Sequence, residues 1–164
     1  MYRQPIRPRL RGFATFALLA ATALAQAASV PDFSLASDHG PVRLADLRGK
    51  TVYLDFWASW CSPCRSSFPW MNAMQARYAD KGLVIVAVNL DKDKALAQTF
   101  LAQMPAKFTV AYDSEGAVAK QFQVKGMPSS FVIDRDGEVQ ATHVGFRDKD
   151  KAELESQIQR LVTR

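Results

Sequence analysis

Cysteine occurs only twice in these 164 residues, and so does histidine. Two cysteines cannot build the multi-disulfide framework that holds many small exported domains together, so stability has to come from a hydrophobic core. A structural zinc site takes four ligands, and His39 and His143 each stand alone and far from the cysteines in sequence. Long apolar runs are missing as well: the most apolar stretch, residues 13–25, is too short to span a bilayer as a stable helix. A basic surface is missing too, because four arginines and no acidic residue fall in the first 27 positions, so the formal charge of +5 drops to +1 on the remainder. Charge-driven binding to nucleic acid or to an anionic membrane is therefore excluded as a class. There is no internal repeat, low-complexity tract or second domain, and the 137 residues that follow position 27 are enough for one core.

Residues 1–27 read as a secretory signal peptide. Arg3, Arg7, Arg9 and Arg11 form a charged start, residues 13–25 an apolar middle, and Ala23-Leu24-Ala25 and Ala25-Gln26-Ala27 two overlapping small-residue cleavage sites. The exported protein is then expected to begin at Gln26 or Ala28, with a retained membrane anchor as the rival. No cysteine follows the apolar stretch, which excludes a lipoprotein anchor, and the arginines are not adjacent, which argues against a twin-arginine signal. The expected location is the periplasm, with one domain over residues 28–164.

Both cysteines stand in Trp60-Cys61-Ser62-Pro63-Cys64, directly after the apolar run of residues 52–57. With Cys61 in the first turn of a helix, Cys64 lies one turn on along the same face, where the Cα atoms can come within roughly 5.5 Å and a disulfide can open and close without moving the backbone. Cys61 then faces the free N–H groups and the positive dipole end of the helix, which favour its thiolate. Cys61 is the expected attacking sulfur and Cys64 the expected resolving one. A structural staple closes a longer loop than this, and covalent haem needs a histidine where Arg65 stands. Two thiolates also suit Cu(I), so a copper-handling chaperone is a rival, although no Met-rich or His-rich tract accompanies the pair. No cofactor is called for.

Asp55 is the third chemical candidate. A carboxylate within an apolar strand is unfavourable unless neutral or paired, so burial should raise its pKa and let it exchange a proton with Cys64 near neutral pH. Trp57 and Trp70 read as packing residues, Trp60 as part of an apolar apron around the nucleophile.

Along the chain, residues 31–50 form a leading segment with a turn at 38–41 and a helical turn closed by Gly49. Strands are predicted at 52–57, 83–88 and 108–111, and helices at 61–78 (kinked by Pro69), 94–104 and 116–122. Strands at 131–133 and 139–144 flank the hairpin signal Arg135-Asp136-Gly137, and an amphipathic helix covers 151–161. Strands alternating with helices and ending in a hairpin imply an α/β fold with a central mixed sheet and helices on both faces. Active groups belong at the carboxyl end of the first central strand, where Cys61 falls.

Two segments, residues 55–65 (Asp-Phe-Trp-Ala-Ser-Trp-Cys-Ser-Pro-Cys-Arg) and 126–134 (Gly-Met-Pro-Ser-Ser-Phe-Val-Ile-Asp), resemble the thioredoxin superfamily and, more narrowly, its exported TlpA/ResA-like thiol-disulfide oxidoreductases. The resemblance covers nearly all of residues 28–164, including an N-terminal extension and a central insertion at about 89–122. It implies a thioredoxin-like fold, a cis bond at Met127-Pro128 packed against the cysteine pair, and substrate contact at Trp60, Met127 and Pro128 by strand addition. It matches Asp55 to the buried aspartate of thioredoxins. Many ResA-like proteins carry a glutamate three residues after the second cysteine; here that residue is Ser67, so assignment to cytochrome c maturation does not follow. The expected partners are a disulfide-bearing client and a membrane thiol reductase as electron donor, with the protein itself a monomer. The uncharged Ser-Pro between the sulfurs favours a reductase over an oxidant of DsbA type.

Overall fold

The computed structural model describes residues 30–163, so the signal-peptide segment and its cleavage sites lie outside the described residues. The elements in chain order are strands β1 (Ser34–Ser37), β2 (Val42–Arg43) and β3 (Thr51–Trp57), helix α1 (Ser62–Tyr78), β4 (Leu83–Asn89), α2 (Lys94–Gln103), β5 (Thr109–Tyr112), α3 (Ala117–Gln121), β6 (Ser129–Ile133), β7 (Val139–Val144) and α4 (Lys151–Val162). They form one sheet in the order β2-β1-β5-β4-β3-β6-β7. The β3–β4 and β4–β5 pairs are parallel, and the remaining pairs are antiparallel. Among the described residues no helix is long and apolar enough to cross a membrane.

The pleat of β3 decides what lies on each face. All seven of its residues are buried, as a strand with neighbours on both sides and helices above and below must be. Tyr53 and Trp57 point to one face, where they pack with Phe68 and Met71 of α1, Phe100 of α2 and Ile158 of α4. Leu54 and Phe56 point to the other, against Phe33, Val118 of α3, Phe122 and Phe131. Asp55 lies midway between Tyr53 and Trp57 at the two-residue period of the strand, so it faces the layer that carries α1. The α4 residues Leu154, Ile158, Leu161 and Val162 are buried at the spacing of a single helical stripe.

Several boundaries differ from the sequence reading for identifiable reasons. The leading segment has the expected turn at 38–41 and a helical turn at Leu44–Leu47, and it adds two strands: β1 pairs with β2 and, on its other side, with β5. Strand β6 begins at Ser129, two residues before the apolar run that marked it, because Ser129 and Ser130 are buried members of the ladder opposite Phe56 and Asp55. The strand expected at 108–111 is displaced by one residue, and α2 ends at Gln103. As expected, α1 runs through Pro69 to Tyr78. The β6–β7 turn is where expected: Gly137 takes φ +77°, a left-handed backbone conformation that favours glycine.

Candidate functional site

The chain leaves β3 at Trp57 and starts α1 at Ser62, and Cys61 is the residue that caps the helix. Its backbone is extended (φ −81°, ψ 104°), and its sulfur accepts from the Cys64 N–H at 3.3 Å. Pro63 fits the first turn of a helix, where no N–H is required. The first turn of α1 holds no acidic residue, so nothing local cancels the positive end of a 17-residue helix at the Cys61 sulfur. Cys61 and Cys64 are joined by a disulfide with Cα atoms 5.3 Å apart. Burial of the two is closer than the sequence implies: Cys61 is 5% exposed and Cys64 fully covered. The difference lies in what each one faces, since Cys61 lines an open groove of about 720 Å³ and Cys64 does not.

That groove brings distant segments together. Trp60, the most exposed large apolar residue described, at 69%, forms one wall. Met127 forms another, and the Met127-Pro128 peptide bond is cis. Met127 also packs against the apolar cluster that contains both cysteines. Pro128 is buried, and its carbonyl accepts from the Gly145 N–H at 2.7 Å. Ladder pairing of β6 starts only at Ser129, so Met127 lies outside it. The two segments that carried the resemblance thus meet in space.

Asp55 is 1% exposed. Burial pushes its carboxyl well above the usual carboxylate range. Its Oδ2 has no hydrogen-bond partner among the described residues. The neighbouring Tyr53 hydroxyl is raised first by burial and second by the charge of Asp55, against a hydrogen bond with Ser130 that lowers it. Ser67, at the position where many ResA-like proteins carry glutamate, is buried and its hydroxyl donates to the Cys64 carbonyl at 3.1 Å. It supplies no carboxylate.

One residue of the site was not singled out from sequence. Asp91, 4% exposed, accepts from the Ser59 N–H at 2.9 Å, the Ser59 hydroxyl at 3.0 Å and the Asn89 side-chain amide at 2.8 Å. Ser59 lies two residues before Cys61, so Asp91 fixes the loop that leads into Cys61. The signal available in sequence is only an Asn-x-Asp after an apolar strand. Trp57 is packed between Phe68 and Phe100 at 4.8 and 4.7 Å, and Trp70 meets Tyr53 at 5.4 Å, so both are core residues. His39 is exposed on the β1–β2 turn, and His143 contacts Gln157; neither lines the groove.

Comparison with known proteins agrees with this geometry. Residues 25–158 match the Redoxin family. The thiol-disulfide oxidoreductase ResA of a Bacillus cereus strain is 35% identical over 132 residues, which span 80% of this chain and 75% of ResA. A crystal structure of a candidate thiol:disulfide interchange protein DsbE from Chlorobium tepidum superposes with a TM-score of 0.81 at 57% identity, covering 82% of this chain and 95% of that one. A thioredoxin family thiol:disulfide interchange protein from Chlorobium tepidum TLS gives a TM-score of 0.74 at 28% identity, with 84% and 98% covered.

Proposed function

We propose, from the premise that this chain belongs to the Redoxin family and is a thioredoxin-like thiol-disulfide oxidoreductase of the TlpA/ResA-like group, that it works outside the cytoplasm as a reductase of protein disulfides. The observation that carries the reading is the pairing of a helix-capping, groove-facing Cys61 with a covered Cys64 across an uncharged Ser-Pro.

The reaction has two sulfur exchanges. In the reduced enzyme the Cys61 thiolate, favoured by the open N-terminal end of α1, attacks one sulfur of a client disulfide. A bond forms between Cys61 and that sulfur, the client S–S bond breaks, and the second client sulfur leaves as a thiolate that takes up a proton. Asp55, neutral at rest only until its raised pKa is passed, takes the proton of Cys64 in its ionised form, directly or through a water. The Cys64 thiolate then attacks the Cys61 sulfur and releases the client's remaining thiolate. Two electrons have passed to the client, and the Cys61–Cys64 disulfide remains. Trp60 and Met127 hold an extended client strand beside Cys61, with Pro128 buried next to Met127 and Met127 available for main-chain contacts because β6 does not engage it. A membrane thiol reductase restores the dithiol, and residues 1–27 direct the chain to the periplasm as a signal peptide.

Equilibration in defined thiol buffers tests the direction of flow. With an uncharged Ser-Pro between the sulfurs, the potential is expected near the thioredoxin value of roughly −270 mV; a value near that of DsbA, roughly −120 mV, would make the protein an oxidant. Sequencing the N-terminus of envelope-recovered protein tests export: Gln26 or Ala28 supports it, and retained Met1 on membranes shows an anchor.

A further inference from the structure

The groove beside Cys61 carries a charge pattern that disulfide exchange does not require. Its apolar surface comes from Trp60, Leu90, Val124 and Met127, while Lys120 and Lys125 are the charged groups that line it, with no carboxylate opposite. Both lysines are exposed. Neither makes an ion pair among the described residues, in contrast to Lys94 and Lys151, which pair with Asp38 and Asp148. Lys120 lies in the last turn of α3, where a cation suits the helix dipole. Lys125 has no such reason to be there: it sits in the loop that leads into the cis bond. The backbone that carries the two is held in place. The buried Asp113 carboxylate accepts from the Ala117 and Ala119 N–H groups at 2.9 Å each and pins the start of α3, and the Ser129 hydroxyl donates to the Gly126 carbonyl at 2.6 Å beside Lys125.

Resting on the reductase reading above, we infer that the client segment seated in this groove is an acidic one: an extended stretch of an oxidised protein with Asp or Glu within a few residues of its disulfide cysteine and an apolar side chain against Trp60 and Met127. Complementary charge at an interface speeds encounter and rejects like-charged partners. With only +1 left on residues 28–164, the chain as a whole steers weakly, so the selection arises at this rim, over a short range, and weakens in salt.

The test uses the reduced protein and two synthetic peptides, each closed by its own disulfide and differing only in Glu or Lys flanks. Each peptide rate is divided by the rate of the same protein with 2-hydroxyethyl disulfide, which is uncharged, so that changes in Cys61 itself cancel. The Glu peptide should react roughly tenfold faster than the Lys peptide at low salt, and the gap should narrow at about 0.5 M salt. K120Q/K125Q should remove the preference and K120E/K125E invert it. Equal rates for the two peptides at low salt, or a preference that survives charge reversal, overturn the acidic-client inference and leave disulfide reduction intact. A reduced protein that fails even with 2-hydroxyethyl disulfide overturns the reductase reading instead.

Discussion

Two carboxylates are buried near the cysteine pair, and the fold treats them in opposite ways. Asp91, after β4, has both oxygens occupied by Ser59 and Asn89. Asp55, inside β3, keeps Oδ2 without a partner among the described residues, and burial alone sets its raised pKa. Removal from water is common to both; the number of donors supplied is not. A buried acid whose oxygens are fully engaged acts as a brace, whereas one left unengaged is available to hold and release a proton.

In the proposed mechanism both acids act through the sulfurs, so the largest expected effect comes from those. Cys61→Ser should abolish disulfide reduction, while Cys64→Ser should accumulate a mixed disulfide on Cys61, visible as a mass shift under non-reducing conditions; a trapped client on Cys64 of the Cys61 variant would reverse the assignment of roles. Next in size is Asp91→Ala. It strands the Ser59 N–H and the Asn89 amide, each worth about 1–3 kcal/mol when left unsatisfied, and a total loss of about 2–6 kcal/mol is expected in urea unfolding. A loss below about 1 kcal/mol would show that Asp91 is no brace.

Asp55→Asn should act in the other direction on stability and slow the release of client. The folded-state pKa of Asp55 lies above the ordinary value of 3.8. Below that value the carboxyl is protonated in folded and unfolded chains alike, and its contribution is fully present. As pH rises past it, the unfolded chain ionises first, and stability falls until the folded pKa is passed. Asparagine has no such slope, so the variant gains on the wild type from about pH 4 toward neutrality. Parallel stability curves for the two proteins would remove the contrast with Asp91. The smallest effect on stability belongs to Trp60→Ala, within about 0.5 kcal/mol because the side chain is 69% exposed; its effect should show in slower reaction with peptide disulfides.

What could be read from sequence was what lies close together along the chain or follows a strong pattern. The cysteine spacing, the apolar run of β3, the stripe of α4 and the Asp136-Gly137 turn are all local, and the structure has each of them. The cis bond at Met127-Pro128 came from motif resemblance and is present. Asp91 escaped because its partner Ser59 is 32 positions away, and neither residue type announces such a bond. Ser129 and Ser130 escaped because polar residues do not look like a buried strand until Phe56 and Asp55 lie opposite. Likewise, Lys120 and Lys125 read as ordinary solvated charges until the fold sets them beside Cys61.

Strand β3 has a further consequence for how the molecule breathes. It is paired with β4 along all seven of its residues and with β6 over five, and every side chain is buried. Its amides should exchange with deuterium only when the whole domain opens, whereas Trp60, three residues past its end, is mostly in water. Cys61 caps α1 just past that exposed residue, four positions beyond the end of the strand. A partner can reach the groove beside the sulfur while the strand behind it stays closed, so the pair can be cycled without opening the core.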